Sequence, residues 1–189
     1  MDARARTGVR LLVGALVAAL LIAAAPAQAA PIEDYAGYQP QTKCAPKAKP
    51  GTKALAAWLV DRGGAYGGIS RECKAGGTSE HKEGRAFDWS LDATSKHDRL
   101  VARKLLTAVF AADGDGNTDA KARRMGIMYV IWNDHMYAAW DQFERSTYLS
   151  SSCKSVKKCS KTLRHRDHMH ISLSRRGGRG ETSWYAGRL

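Results

Sequence analysis

"SEHKEGRAFDWSL", residues 79–91, holds the alternation that decides the fold. From Ala86 to Leu91 the side chains alternate strictly, with Phe87, Trp89 and Leu91 on one side and Ala86, Asp88 and Ser90 on the other. A period of two is that of a strand with one face buried. It places a carboxylate, Asp88, on the face turned away from the core. His81 precedes it by six intervening residues, in a bend that contains Gly84.

A second stretch repeats the pattern. In "DHMHISLS", residues 167–174, Met169, Ile171 and Leu173 face one way, and His168, His170 and Ser172 face the other. If the two strands are near neighbours in one sheet, Asp88, His168 and His170 converge on one open face, and His81 can fold over the same spot. Two neutral imidazoles and one carboxylate suit zinc, and three protein ligands leave a fourth position open, as in catalytic rather than structural sites.

Between these stretches the periods change. Leu55, Trp58 and Leu59 in "PGTKALAAWLVDRGG" recur at helical spacing, with Thr52 as the expected cap and Gly63-Gly64 as the stop. Tyr66–Ser70 reads as a short strand. Ser95 and Asp98 form a capping box for a helix over 96–112, whose apolar face runs Leu100, Val101, Leu105, Leu106, Val109, Phe110. "DGDGNTD", 113–119, lacks the glycine and glutamate that a calcium loop needs and reads as a polar loop. "GIMYVIW", 126–132, is apolar without alternation, as a central strand is. Asn133-Asp134 turns it, and 136–140 returns. Residues 144–162 read as a surface loop. The fold class is therefore α+β: a small antiparallel sheet with helices packed on one face and a zinc site on the other.

The ends have their own signatures. Residues 1–29 carry a basic head (Arg4, Arg6, Arg10), an apolar run from Leu11 to Ala25 and the small-x-small triplet Ala27-Gln28-Ala29, the order of a secretory signal peptide. The run falls short of the ~20 residues of a spanning helix, so no membrane span is expected after cleavage. Residues 30–50, with four prolines, read as an extended N-terminal arm. Residues 51–189 form a single domain ending in a basic tail rich in Arg and Gly. A secreted, extracellular or wall-associated location makes disulfides the default for the four cysteines. The expected pairs are Cys44–Cys73, tying the arm to the region before His81, and Cys153–Cys159, closing a small loop. A monomer is expected.

Formal charge is +12 over 189 residues. Three Arg and one Asp fall in the first 29, which leaves +10 on the remainder. Such a surface favours anionic partners: wall teichoic acids, acidic glycans, phospholipid heads or nucleic acid. No interleaved aromatic-basic platform for single strands is visible, so no specific nucleic-acid partner is expected.

Ser79, His81, Gly84, Ala86 and Asp88 match the S-x-H-x-x-G-x-A-x-D signature, and "DHMHIS" is similar to the H-x-H element, of the superfamily of zinc D-Ala-D-Ala carboxypeptidases, lysostaphin-type endopeptidases and hedgehog domains. The resemblance spans about residues 52–174. It implies one zinc ion held by His81, Asp88 and His170. It implies hydrolysis of peptide bonds in peptidoglycan peptides that contain D-amino acids. The carboxypeptidase branch places a Glu where Asp167 stands and a Trp where Met169 stands; the endopeptidase branch uses the position of His168. The general base is thus Asp167 or His168. Arg71 is the expected partner of the developing oxyanion, and Ser79 the expected contact of a substrate carboxylate. Lys82 and Arg85 read as solvated charges, His165 as an outer partner or exposed, and His97 and His135 as uninvolved. The alternative is a non-catalytic zinc module that binds wall polymer or a partner protein.

Overall fold

The computed structural model describes residues 32–189; the expected signal peptide lies outside them. Six strands form one antiparallel sheet in the order β1-β2-β6-β3-β4-β5. They are β1 (Ala65–Gly68), β2 (Ala86–Ser90), β3 (Ile127–Trp132), β4 (His135–Ala138), β5 (Arg145–Thr147) and β6 (Met169–Leu173). The helices are α1 (Pro50–Val60), α2 (Lys96–Val109), α3 (Ala120–Met125) and α4 (Arg175–Arg179).

The alternation in the sequence becomes the division between two faces. Phe87, Trp89, Val130, Trp132, Met169, Ile171 and Leu173 join Leu55 and Leu59 of α1, Ala102, Leu105 and Val109 of α2, and Met125 of α3 in one core. Burying each large side chain contributes about 1.5–3 kcal/mol. Trp89 also satisfies its ring nitrogen, donating from Nε1 to Gly63 O at 2.9 Å. On the other face β6 lies between β2 and β3, with Asp88 opposite His170 and Ile131 opposite His170 from the far side. Residues directly opposite in an antiparallel pair share a face, so the register alone brings Asp88 and His170 together.

Local chemistry explains most element ends. Asn133 and Asp134 both take positive φ (47° and 68°) between β3 and β4, the demand of a two-residue hairpin turn. Ser95 Oγ accepts from Asp98 N at 3.2 Å and starts α2. The other half of the box is not made, because Asp98 Oδ2 accepts instead from Asp92 N. At α1 the expectation fails. Lys49 occupies the cap position, Pro50 opens the helix, and Thr52 is buried with Oγ1 unpartnered. A proline at the first position needs no N–H partner, so the helix starts three residues earlier than a threonine cap would place it.

Three further differences have physical reasons. Leu100 is 39% exposed, so the apolar face of α2 is narrower than its sequence implies. Arg145–Thr147 forms β5 inside the expected surface loop, pairing its backbone with β4 although its side chains are exposed. The expected basic tail is part of the fold. α4 packs on α1 so closely that a Cβ on Gly51 would strike the Gly177 carbonyl. Trp184 and Tyr185 are then buried against the core. The arginines that suggested a tail lie on the outer side of that turn. The arm, residues 32–49, has no regular structure and is held by Cys44–Cys73. The second disulfide, Cys153–Cys159, also forms. No helix among the described residues is long and apolar enough to cross a membrane.

Candidate metal centre

The bend before β2 is one turn of 3-10 helix, Glu80–Glu83, with Ser79 Oγ accepting from His81 N at 3.3 Å. Gly84 ends it in the left-handed region (φ 64°), and a Cβ there would strike the Lys47 carbonyl of the arm. This reversal folds His81 back over Asp88. His81 Nε2 lies 3.1 Å from Asp88 Oδ1 and 3.2 Å from His170 Nδ1, and His170 Nδ1 lies 2.9 Å from Asp88 Oδ1.

The outer partners fix which nitrogens face inward. The Ile69 carbonyl can only accept, so His81 carries its proton on Nδ1, 2.7 Å away. His170 Nε2 is 2.8 Å from Ser172 Oγ, which in turn donates to Glu80 Oε2 at 3.5 Å. His170 therefore donates from Nε2, and its Nδ1 lone pair faces the cluster. Glu80 Oε2 is held by the Tyr129 hydroxyl at 2.6 Å. Outer hydrogen bonds of this kind orient ligating imidazoles. Three lone-pair atoms thus meet with no proton to share among them when both rings are neutral. Their separations sit near the about 3.3 Å edge of a tetrahedron with ligand distances of about 2.0–2.1 Å. His81, Asp88 and His170 could hold a metal ion.

The electrostatics agree with that use. Burial pushes the His170 ring down and keeps it neutral, although Asp88 opposes this. Burial raises the Asp88 carboxyl, but its closeness to the His170 and His81 rings outweighs this and leaves it well below the usual carboxylate range. A neutral imidazole and an ionised carboxylate are the forms that bind metal.

The remaining expected residues take distinct places. His168 Nε2 is 3.7 Å from Asp88 Oδ1, at the rim of the cluster, and its Nδ1 donates to Asp167 Oδ1 at 2.7 Å. Asp167 Oδ2 accepts from Thr162 Oγ1 at 2.5 Å. Asp167 thus uses Oδ1 to hold His168 and Oδ2 to accept from Thr162. Ser79 and the exposed Arg71 line the cleft of about 390 Å³ that opens over Asp88, His168 and His170; His81 is buried behind them. His97 and His135 lie elsewhere.

Two readings are corrected. Lys82 and Arg85 are buried, at 5% and 2% exposure. Arg85 spends its guanidinium on Glu83 Oε2 (2.7 Å), the Leu173 carbonyl (2.8 Å) and the Gln39 carbonyl. Each charge is tolerated because a carboxylate or carbonyl meets it; Lys82 Nζ reaches Gly76 O at 3.1 Å. His165 is neither idle nor simply exposed. Its ring lies against His168 and Tyr148, and its Nδ1 is buried without a hydrogen-bond partner. Burial, with His170 and His168 adding, pushes its pKa down to about 3.

The Glu80–Tyr129–Ser172 chain behind His170 was not singled out from sequence. Ser172 could have been, since it follows His170 by one strand period. Tyr129 and Glu80 could not, because their contact depends on the β3–β6 register and on the bend.

No curated protein and no solved structure is significantly similar to the chain. A family model described as VldE, C-terminal domain, matches residues 41–155, more than half of the chain. The match takes in His81 and Asp88 and stops before β6, which carries His170. The chain belongs to the VldE C-terminal domain family.

Proposed function

We propose that this is a secreted zinc metallopeptidase that hydrolyses peptide bonds in peptidoglycan stem or cross-link peptides containing D-amino acids. The observation that carries the reading is the meeting of His81 Nε2, Asp88 Oδ1 and His170 Nδ1, with His168 Nε2 held at its edge. Two His and one carboxylate fit zinc and leave a position open. The motif resemblance supports the substrate class, and two disulfides support export.

Zinc, when bound, supplies Lewis acidity and a water acidic enough to attack near neutral pH. The other steps belong to the chain. His168 Nε2 takes the proton of the attacking water and returns it to the leaving amine. Asp167 is a positioning residue: it fixes the proton on His168 Nδ1, leaves Nε2 free to accept, and steadies the imidazolium. This assigns the base to His168 rather than Asp167. Arg71 stands at the cleft, where a cation stabilises the oxyanion. The Ser79 hydroxyl, whose oxygen already accepts from His81 N, keeps its hydrogen for a substrate carboxylate.

The test uses the disulfide-bonded protein loaded with zinc, incubated with peptidoglycan and with short D-Ala-containing peptides, counting released amines. Release should disappear with a chelator and fall about 10²–10⁴-fold in His168→Ala, the range for a lost general base. Asp167→Ala should lose less and shift the pH profile. Zinc-loaded, wall-adherent protein that releases no amine would replace the reading with a non-catalytic wall- or partner-binding module.

A further inference from the structure

A second cleft, of about 720 Å³, lies away from the metal centre. It runs between α2 and the β3–β4 hairpin. Trp132 and Tyr137 in its wall pack with the helix-side core, so the cleft lies across the sheet from His170. Lys96, Arg99 and Arg103 line one wall and Arg145 of β5 the other, and no Asp or Glu is among the lining residues. None of the four pairs with a carboxylate among the described residues. Elsewhere arginines do find acids, as Arg164 and Arg166 do at Asp134 and Arg124 does at Asp113. Four cations without a carboxylate partner around one concavity repel each other, and their field is focused there; Arg145 Nη2 also lies 3.3 Å from His135 Nδ1, another lining residue.

We propose that this groove binds a linear phosphodiester polymer that carries no bases. Positions 96, 99 and 103 share a face of α2 and are separated by about 4.5 and 6 Å along its axis. A single phosphate cannot span that row; a chain with charges recurring at several ångströms can. Arg99 is set for the role, since Ala93 O and Thr94 O fix its Nη1 at 2.8 and 2.9 Å and leave the rest of the fork outward. Planar guanidinium groups suit phosphate oxygens. The aromatic rings in the groove argue against bases as the recognised feature. Trp132 is only 6% exposed and offers no open ring face on which a base would stack. Tyr137 is half-buried with Phe110 against it, at 5.5 Å between ring centres.

The experiment titrates the disulfide-bonded protein into labelled poly(glycerol phosphate) over a salt series. Arg103→Gln/Arg145→Gln and, separately, Lys96→Gln/Arg103→Gln remove groove charge. Lys157→Gln/Lys158→Gln removes equal charge from the Cys153–Cys159 loop. All five side chains are exposed, and melting curves confirm folding. Each groove pair should weaken binding at least tenfold at low salt. Each should also flatten the salt dependence by about 0.7 per lost phosphate contact, the value for single strands. The loop pair should change affinity less than threefold. Equal loss in loop and groove pairs would overturn the proposal in favour of diffuse charge, and no binding by the unaltered protein would overturn it outright. Single-stranded DNA of equal phosphate number binding as tightly or more tightly would overturn it in favour of a base-reading surface.

Discussion

The two faces of β6 are made of alternate residues of one five-residue strand, yet they are held in different ways. Met169, Ile171 and Leu173 enter a core where each touches many neighbours and no single contact decides the packing. His170 and Ser172, one step away on the other face, are equally hidden. They depend on named partners at fixed distances: Asp88 Oδ1, His81 Nε2 and Glu80 Oε2. The first kind of face is robust to small errors of position. The second exists only if register, bend and proton placement all agree.

Three substitutions set the faces against each other. The largest effect belongs to the core: Trp89→Ala should cost about 3–5 kcal/mol of stability, read by denaturant unfolding. Metal affinity of the fraction that stays folded should be nearly unchanged. If affinity collapses with it, the two faces are not separable. Next, Ser172→Ala should weaken metal binding about 10–100-fold, as loss of an outer partner does. Its stability cost should stay below that of Trp89→Ala. Metal competition titration and unfolding on the same samples decide this, and the reverse ranking would make Ser172 a packing residue only.

The smallest effect concerns pH. His165 is pushed down to about 3 in the folded protein, against about 6.5 unfolded. Below pH 6.5 the unfolded chain binds a proton that the folded one refuses. Stability from this group is therefore complete above 6.5 and falls as pH drops from there towards 3, by at most about 1.4 kcal/mol per pH unit. In metal-free protein His165→Asn should flatten the melting-temperature slope between pH 6 and 4. A slope unchanged by the substitution would assign the acid sensitivity to other groups.

What could be read in the sequence follows the same division. The helix-side face was legible in Phe87, Trp89, Met169, Ile171 and Leu173, because alternation is a local signal. The alternation placed Asp88, His168 and His170 on one face, and the motif resemblance singled out His81, Asp88 and His170, the group that could hold a metal ion. The disulfides were legible from spacing and export. Contacts set by the packing of distant segments were not. Arg85 looks like a surface charge until the arm brings the Gln39 carbonyl to it. The arginine-rich end looks like a tail until Gly51 and Gly177 let two helices touch. Strand geometry already favoured His168, on the face of His170, but the contact of Asp167 with Thr162 was hidden, since it comes from a loop.

The position of β6 bears on how the sheet can be assembled in time. β1–β2 is a local hairpin and β3–β4–β5 a local meander, so each half can form soon after its residues are made. β6 is synthesised after both and, among the described residues, is the strand that joins them. Until it arrives, β2 and β3 each present an open edge, the usual template for wrong pairing. One of the three side chains that could hold a metal ion arrives with that same seam strand. An early ion finds only His81 and Asp88, so joining the two halves and completing the metal centre become a single event.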